Sequence, residues 1–241
     1  LKKAVITGAT GGIGEAIARK FASLGYELIL IFSRNLEKAH LLKEELSSHV
    51  PVSIYSLDFS DTEGYTTLFR EILSHHGAVD VLIHSAGISS RTLFHEMRGH
   101  EFEKLFDINV KPLFYLTKEI IPEMISKGEG SILSISSIWG SRAASMEVAY
   151  SMTKGAVEQF TRSLAAELSH MNIRVNAIAP GGVNTALLSN LTPEEMRTFT
   201  EDIPFSRLAS PEEIADLAAF LVLKGTYITG QILTIDGGFT L

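Results

Sequence analysis

The 241 residues suffice for one substantial core and do not require two. Hydrophobic residues make up 45% and charged residues 20%, a balance that excludes a disordered chain. The net charge of -7 argues against a nucleic-acid partner, though not against a local basic pocket for one phosphate, and the absence of cysteine excludes disulfides, thiolate nucleophiles and Cys-based metal sites.

The chain opens on Leu1-Lys2-Lys3 with no signal peptide, and no apolar run nears the ~18 residues of a membrane span. A cytoplasmic protein with no membrane partner is expected, its true start slightly upstream of Leu1. Lys3–Thr7 reads as a strand. Residues 12–24 carry Ile13, Ile17, Ala18, Phe21 and Leu24 at helical spacing, and Gly25 stops that helix. Strands follow at Glu27–Phe32, 52–57, 79–84, 131–135, 173–179 and 231–235. Helices are predicted over 36–48, 62–75, 107–126 and 148–170, and Pro211 opens another at its first turn. The strands are continuous apolar runs rather than alternating ones, the mark of strands covered on both faces. The expected fold is therefore α/β: a single Rossmann-type doubly wound domain over 1–241, its parallel sheet lying between helix layers. Residues 184–210 are polar and broken by Pro193 and Pro204, so they read as a mobile excursion from the sheet.

Between the first strand and first helix stands Thr7-Gly8-Ala9-Thr10-Gly11-Gly12-Ile13-Gly14. Glycines at such a turn either serve the turn alone or let the backbone approach a pyrophosphate at a helix N-terminus. The spacing departs from G-x-G-x-x-G, and no Gly-Lys-Ser/Thr follows, so a P-loop is excluded. The second strand ends at Ser33-Arg34, where an acid would favour NAD; a hydroxyl and a guanidinium suit the 2′-phosphate of NADP(H), or Arg34 is a solvated turn residue. Asp58 either accepts from an adenine amino group or caps the helix in the Asp61 region.

Tyr150 and Lys154 stand four apart in a helical stretch and share a face, and a nearby ammonium lowers a phenol's pKa. Ser137, thirteen residues earlier, follows a strand and offers a hydroxyl to a carbonyl oxygen. Asn109 is an uncharged polar residue in an apolar helix, which by itself reads as a buried, satisfied amide. His84 reads as a packed, hydrogen-bonded histidine and His75-His76 as a solvated helix end; no metal site is expected. Trp139 lines a substrate mouth or is an ordinary surface or core residue.

Taken together, Thr7-Gly8-x3-Gly12-Ile13-Gly14, Ser85-Ala86-Gly87, Asn109, Ser137, Tyr150-x3-Lys154 and Pro180-Gly181 occur in an order that resembles the short-chain dehydrogenase/reductase family from end to end. The ending Tyr227-Ile228-Thr229-Gly230-Gln231-Ile232-Leu233-Thr234-Ile235-Asp236-Gly237-Gly238 is most similar to the 3-oxoacyl-acyl-carrier-protein reductases of that family. The resemblance implies a seven-stranded parallel sheet and NADPH-dependent reduction of a ketone, most of all a 3-oxoacyl thioester in fatty acid biosynthesis. Tyr150 would protonate the carbonyl oxygen and Ser137 would orient it. Lys154 would bind the nicotinamide ribose and depress the Tyr150 pKa, and Asn109 would hold a water that feeds protons to Lys154. Gly8, Thr10, Gly12, Ile13 and Gly14 would cradle phosphate. Asp58 and Phe59 would meet adenine, and Ser85, Ala86 and Gly87 the adenosine ribose side. Pro180, Gly181, Val183 and Thr185 would contact the nicotinamide end, and 184–210 would be the substrate lid. A homotetramer would pair the Asn109 and Tyr150 helices across subunits.

His84-Ser85 departs from the usual Asn-Asn, and Gly11 stands where many NADPH-using relatives are basic. In relatives fed by an acyl carrier protein, two basic positions beside the active-site mouth dock the carrier. Here the matching regions read Lys127-Gly128-Glu129-Gly130 and His170-Met171-Asn172, with Arg142, Arg162 and Arg174 as other candidates. Alternatives are a sugar, steroid or 5-aminopentanone-modified elongation factor P as the ketone, or a non-catalytic dinucleotide sensor on the same fold.

Overall fold

A computed structural model describes residues 1–59, 62–189 and 191–241, with Thr62 and Glu63 described in backbone alone. Asp61, and Asn190 within the expected lid, lie outside the described residues. Seven parallel strands take the order β3-β2-β1-β4-β5-β6-β7. They are β1 (Lys3–Thr7), β2 (Glu27–Phe32), β3 (Val52–Ser56), β4 (Val81–His84), β5 (Gly130–Ile135), β6 (Ile173–Pro180) and β7 (Ile232–Ile235). Successive side chains enter opposite layers. On β2, Leu28 and Leu30 face a cluster with α1 (Gly12–Ser23), α2 (Leu36–Leu46) and α8 (Pro211–Leu223). Ile29 and Ile31 face the other cluster, with α3 (Thr62–His76), α5 (Lys111–Lys127) and the end of α6 (Val148–Leu168). Burial on both faces is why the strand reads ELILIF without alternation.

The order reverses at β1, which pairs with β2 on one side and β4 on the other. In such sheets the crevice beyond the strand ends at this point receives the ligand. Thr7 Oγ1 accepts from the backbone N–H groups of Ser85 and Ala86, each at 3.2 Å, and so ties the turns after β1 and β4 together across the crevice.

Two sequence expectations need correction. The single helix over 107–126 is two: α4 (Gly99–Asn109) and α5, broken at Val110. Pro112 stands at the start of α5, where its missing N–H costs nothing, but within one continuous helix it would leave a carbonyl unpaired one turn back. Nor is 184–210 a plain loop. It contains α7 (Pro193–Glu201), whose first turn is closed by a reciprocal capping box between Thr192 and Glu195. Pro193 opens this helix instead of breaking one. His76 also departs from the solvated reading: its ring meets Glu27 Oε1 at 2.7 Å and Tyr55 Oη at 3.0 Å.

Candidate active site

Helix α6 places Tyr150 and Lys154 one turn apart and buries both, at 7% and 5% exposure. Lys154 Nζ donates to the Ile135 carbonyl at 2.9 Å and lies 5.6 Å from the centroid of the Tyr150 ring. A carbonyl and an aromatic face thus hold this buried ammonium without a carboxylate. Burial pushes the Lys154 pKa down to about 8. Burial also pushes the Tyr150 phenol well above its usual range; a hydrogen bond with Ser137 opposes this and the Glu147 carboxylate adds to it. Desolvation is the largest of these effects on Tyr150.

Ser137 heads a single 3-10 turn after β5 and accepts from the Trp139 N–H at 3.3 Å. Asn109 ends α4. Its side chain accepts from Ile88 N–H at 2.9 Å and donates to Ile88 O at 2.9 Å and Thr153 Oγ1 at 3.0 Å. That is the satisfied buried amide of the plain sequence reading: both of its N–H groups are used by the protein. It braces the Gly87-Ile88 segment against α6. A side chain at Gly87 would sit 3.4 Å from Asn109 Oδ1 and 3.5 Å from Lys154 Nζ, so glycine keeps open the space above the lysine.

The glycine turn fits a dinucleotide. Gly8 has φ +67°, and a Cβ there would come within 2.6 Å of Ala86 Cα. A Cβ on Gly12 would come within 2.6 Å of Thr185 Cγ2, and one on Gly14 would strike the Gly8 carbonyl. Gly11, at the N-cap of α1, supplies no side-chain cap. The turn is therefore a cradle in which Gly8, Gly11, Gly12 and Gly14 carry no side chains, ending on the positive end of a helix. One cleft runs along Ile13, Ser85, Gly87, Ser137, Tyr150, Lys154, Pro180, Gly181, Val183 and Thr185. Another is lined by Ser33, Arg34, Asp58 and Phe59, with Lys104 and His100 of α4 facing them. The two clefts gather residues that the sequence analysis expects at the two ends of the cofactor. Phe59 differs in detail: the residue is only 3% exposed and packs in a core cluster.

The mouth beyond Tyr150 is a cavity of about 510 Å³. Trp139 and, from 184–210, Leu187, Leu188, Leu191 and Phe199 form an apolar wall; Ser89, Ser90, Arg91 and Glu147 form a polar one. Glu147 and Arg91 were missed in the sequence. The one signal for Glu147 is its position three residues before Tyr150, which sets it on the same helical face; Arg91 gives none. Arg91 Nη1 donates to Glu195 Oε1 of α7 at 2.9 Å, linking the segment after β4 to the lid.

The basic positions matched to carrier docking are not beside this mouth. Lys127 and His170 precede β5 and β6, whereas Ser137 follows β5, at the opposite end of a strand of about 20 Å. His84 is packed as expected, its Nε2 2.9 Å from Thr117 Oγ1 and its Nδ1 buried without a partner. Burial pushes its pKa down to about 3. Among the described residues no helix is long and apolar enough to cross a membrane, and no group of three or more His, Asp or Glu is placed to hold a metal.

Such a switch-point cradle joined to a buried Ser-Tyr-Lys set defines an oxidoreductase class, and sequence comparison agrees. A short-chain dehydrogenase/reductase model, described as enoyl-(acyl carrier protein) reductase, matches residues 8–240. The chain belongs to the short-chain dehydrogenase/reductase family. It is similar to the uncharacterized oxidoreductase YmfI of Bacillus subtilis, 40% identical over 99% of this chain and 98% of that one. It is also similar to the 3-oxoacyl-[acyl-carrier-protein] reductase FabG of Aquifex aeolicus, 35% identical over 98% and 96%. Among solved structures, a putative NAD(P)-dependent gluconate 5-dehydrogenase from Beutenbergia cavernae, with bound NADP at low occupancy, superposes with TM-score 0.93. It is 31% identical, and the match covers 99% of this chain and 96% of that one.

Proposed function

We propose that the chain reduces a ketone to a secondary alcohol with NADPH, its leading substrate class being 3-oxoacyl thioesters. The observation that carries this reading is the convergence of Ser137, Tyr150 and Lys154 on one cleft continuous with the glycine cradle. A dinucleotide sensor has no use for a buried acid there. The cofactor supplies hydride from its nicotinamide. Tyr150 gives its phenolic proton to the carbonyl oxygen, and Ser137 donates a hydrogen bond to the same oxygen and orients it. Lys154 holds the ribose hydroxyls at the nicotinamide end and is placed to restore a proton towards Tyr150. Gly181, Val183 and Thr185 wall the nicotinamide side; Arg34 and Ser33 take the 2′-phosphate.

The thioester reading is supported by the similarity to FabG and by the apolar wall of the mouth, which suits an acyl chain. Subunits pair through α4, α5 and α6 as a homotetramer; Phe114 and Met152, exposed at 58% and 48%, supply apolar contacts for that face. The test is NADPH oxidation with an acetoacetyl thioester, a sugar ketone and a ketone-modified protein, repeated with NADH. We expect turnover of the thioester and a ten- to a hundredfold preference for NADPH, roughly the value of one charge-assisted phosphate contact. Arg34→Ala should erase most of that preference. Equal use of NADH by the wild type would return Arg34 to a solvated turn, and no oxidation with any ketone would sink the reductase reading.

A further inference from the structure

Among the described residues, Glu147 is the one acid that lines the substrate mouth beside Ser137 and Tyr150. Its Oε2 is buried and has no hydrogen-bond partner. The residue occupies the N-cap of α6, yet its side chain makes no capping bond, so the helix start does not account for a carboxylate there. The chain leading into it is held in a costly shape. Met146 has φ +65°, the left-handed region that side chains disfavour, and its carbonyl accepts from Thr92 N–H at 2.8 Å. This fixes Glu147 against the segment that bears Arg91.

Arg91 is the nearest candidate to neutralise the acid, but its recorded hydrogen bond goes to Glu195 of the lid. The Arg91 guanidinium is thus committed to Glu195 and makes no ion pair with Glu147. Burial raises the Glu147 pKa, with Arg91 only partly opposing the shift. A desolvated carboxylate without a donor is unfavourable, and a donor brought by a ligand relieves it.

We propose that Glu147 is a specificity-determining residue that accepts a hydrogen bond from an O–H or N–H donor on the ketone substrate. The inference rests on the ketone-reductase reading and narrows it. The preferred ketones carry a polar donor on the side facing Glu147, while their apolar part lies against Trp139 and the lid leucines. An ammonium satisfies the site better than a hydroxyl, because it also supplies the missing positive charge. The donor on a thioester would be an amide or hydroxyl of its carrier arm.

The test uses methyl ketones matched in length and ending in methyl, hydroxyl or ammonium, offered as a series of chain lengths. Dissociation constants are measured by calorimetry in the presence of NADP+, so that no reduction intervenes. We expect a donor-ended ketone of matching length to bind about ten- to a hundredfold tighter than its methyl counterpart. Glu147→Gln should remove the extra advantage of ammonium over hydroxyl. Glu147→Leu should remove both preferences, and Glu147→Gln alone decides the ammonium arm should the leucine variant fail to fold. Equal binding of methyl and donor-ended ketones at every length, or preferences that survive in both variants, would overturn the inference. Turnover with NADPH is followed separately: a binding preference without reduction would leave this inference standing and sink the reductase reading.

Discussion

At the scale of single residues, the site sets a strong acid requirement against a protein environment that resists ionisation. Burial holds Tyr150 protonated, so the donor we propose is loaded across the neutral range, and the Ser137 hydrogen bond opposes that shift. Tyr150→Phe keeps the ring and its packing but removes the proton. We expect turnover to fall roughly 10²-fold or more with NADPH binding kept, measured by steady-state rates and cofactor fluorescence titration. Lys154→Ala should lose both, because in the proposed mechanism the same ammonium serves ribose and tyrosine. His84 carries a pH prediction. Its folded pKa of about 3 lies below the ordinary 6.5, so the unfolded chain binds this proton and the folded chain does not over that interval. Stability from this group is fully present above pH ~6.5 and falls as pH drops towards 3, by up to about 1.4 kcal/mol per pH unit. His84→Asn should therefore lose less stability than the wild type between pH 7 and pH 5, measured by urea midpoints. An identical loss in both proteins would contradict the assignment.

Elements differ in how plainly they were written in the sequence. Strands buried on both faces show themselves as unbroken apolar runs, and β2 was bounded to the residue. The turn after β1 and the Tyr150-Lys154 pair were legible because each is local, one in a single loop and the other on a single helix face. What was not legible depends on tertiary context. Helix α7 has only Met196 and Phe199 as large apolar residues, and Pro193 looks like a breaker until Thr192 and Glu195 are seen to close the turn around it. The break at Val110 is hidden because Asn109 bonds across to Ile88 rather than to a sequence neighbour. Glu147 and Arg91 belong to different segments, so no spacing rule joins them. The same holds for Arg174, which in sequence is a candidate for a basic docking patch. In the fold its guanidinium donates to the carbonyls of Leu221 and Val222 in the last turn of α8 and of Gly225 just beyond. A charged donor at a helix C-terminus satisfies orphan carbonyls and the helix dipole together. Arg174→Met should destabilise the protein by about 1.5–3 kcal/mol, the range for hydrogen bonds to a charged group, in chemical denaturation. Because β6 begins at the end of the sheet away from Tyr150, kcat/KM should stay near wild type below the unfolding range. An unchanged midpoint would mean that water replaces the guanidinium at no cost.

Across the whole molecule, the distribution of charge bears on who delivers the substrate. An acyl carrier protein is acidic, and this chain has a net charge of -7, so their long-range fields oppose each other. A local basic patch at the mouth would have to overcome that. Lys127 does not provide it: it is paired with Asp80 and lies 3.7 Å from Glu129, at the far end of the strands. Arg174 is committed to the end of α8, and Arg162 to the buried Glu158 at 3.1 Å. At the mouth itself Arg91 is paired with Glu195, while α7 brings Glu194, Glu195 and Glu201 against one arginine, Arg197. Arg142 is exposed, and its Nη2 already donates to the Thr240 carbonyl at 2.9 Å. One partly engaged guanidinium against an acidic lid leaves little to steer an acidic carrier. We therefore expect acetoacetyl groups on the carrier to be reduced with kcat/KM no higher than the same group on a small thioester. Added salt should raise the carrier value by screening repulsion and leave the small thioester almost unchanged. Measuring both substrates across a salt series separates the cases. A large carrier advantage that fades as salt rises would mean that assembly of subunits builds a basic dock absent from the single chain. That result would restore carrier-fed fatty-acid synthesis as the role of the enzyme.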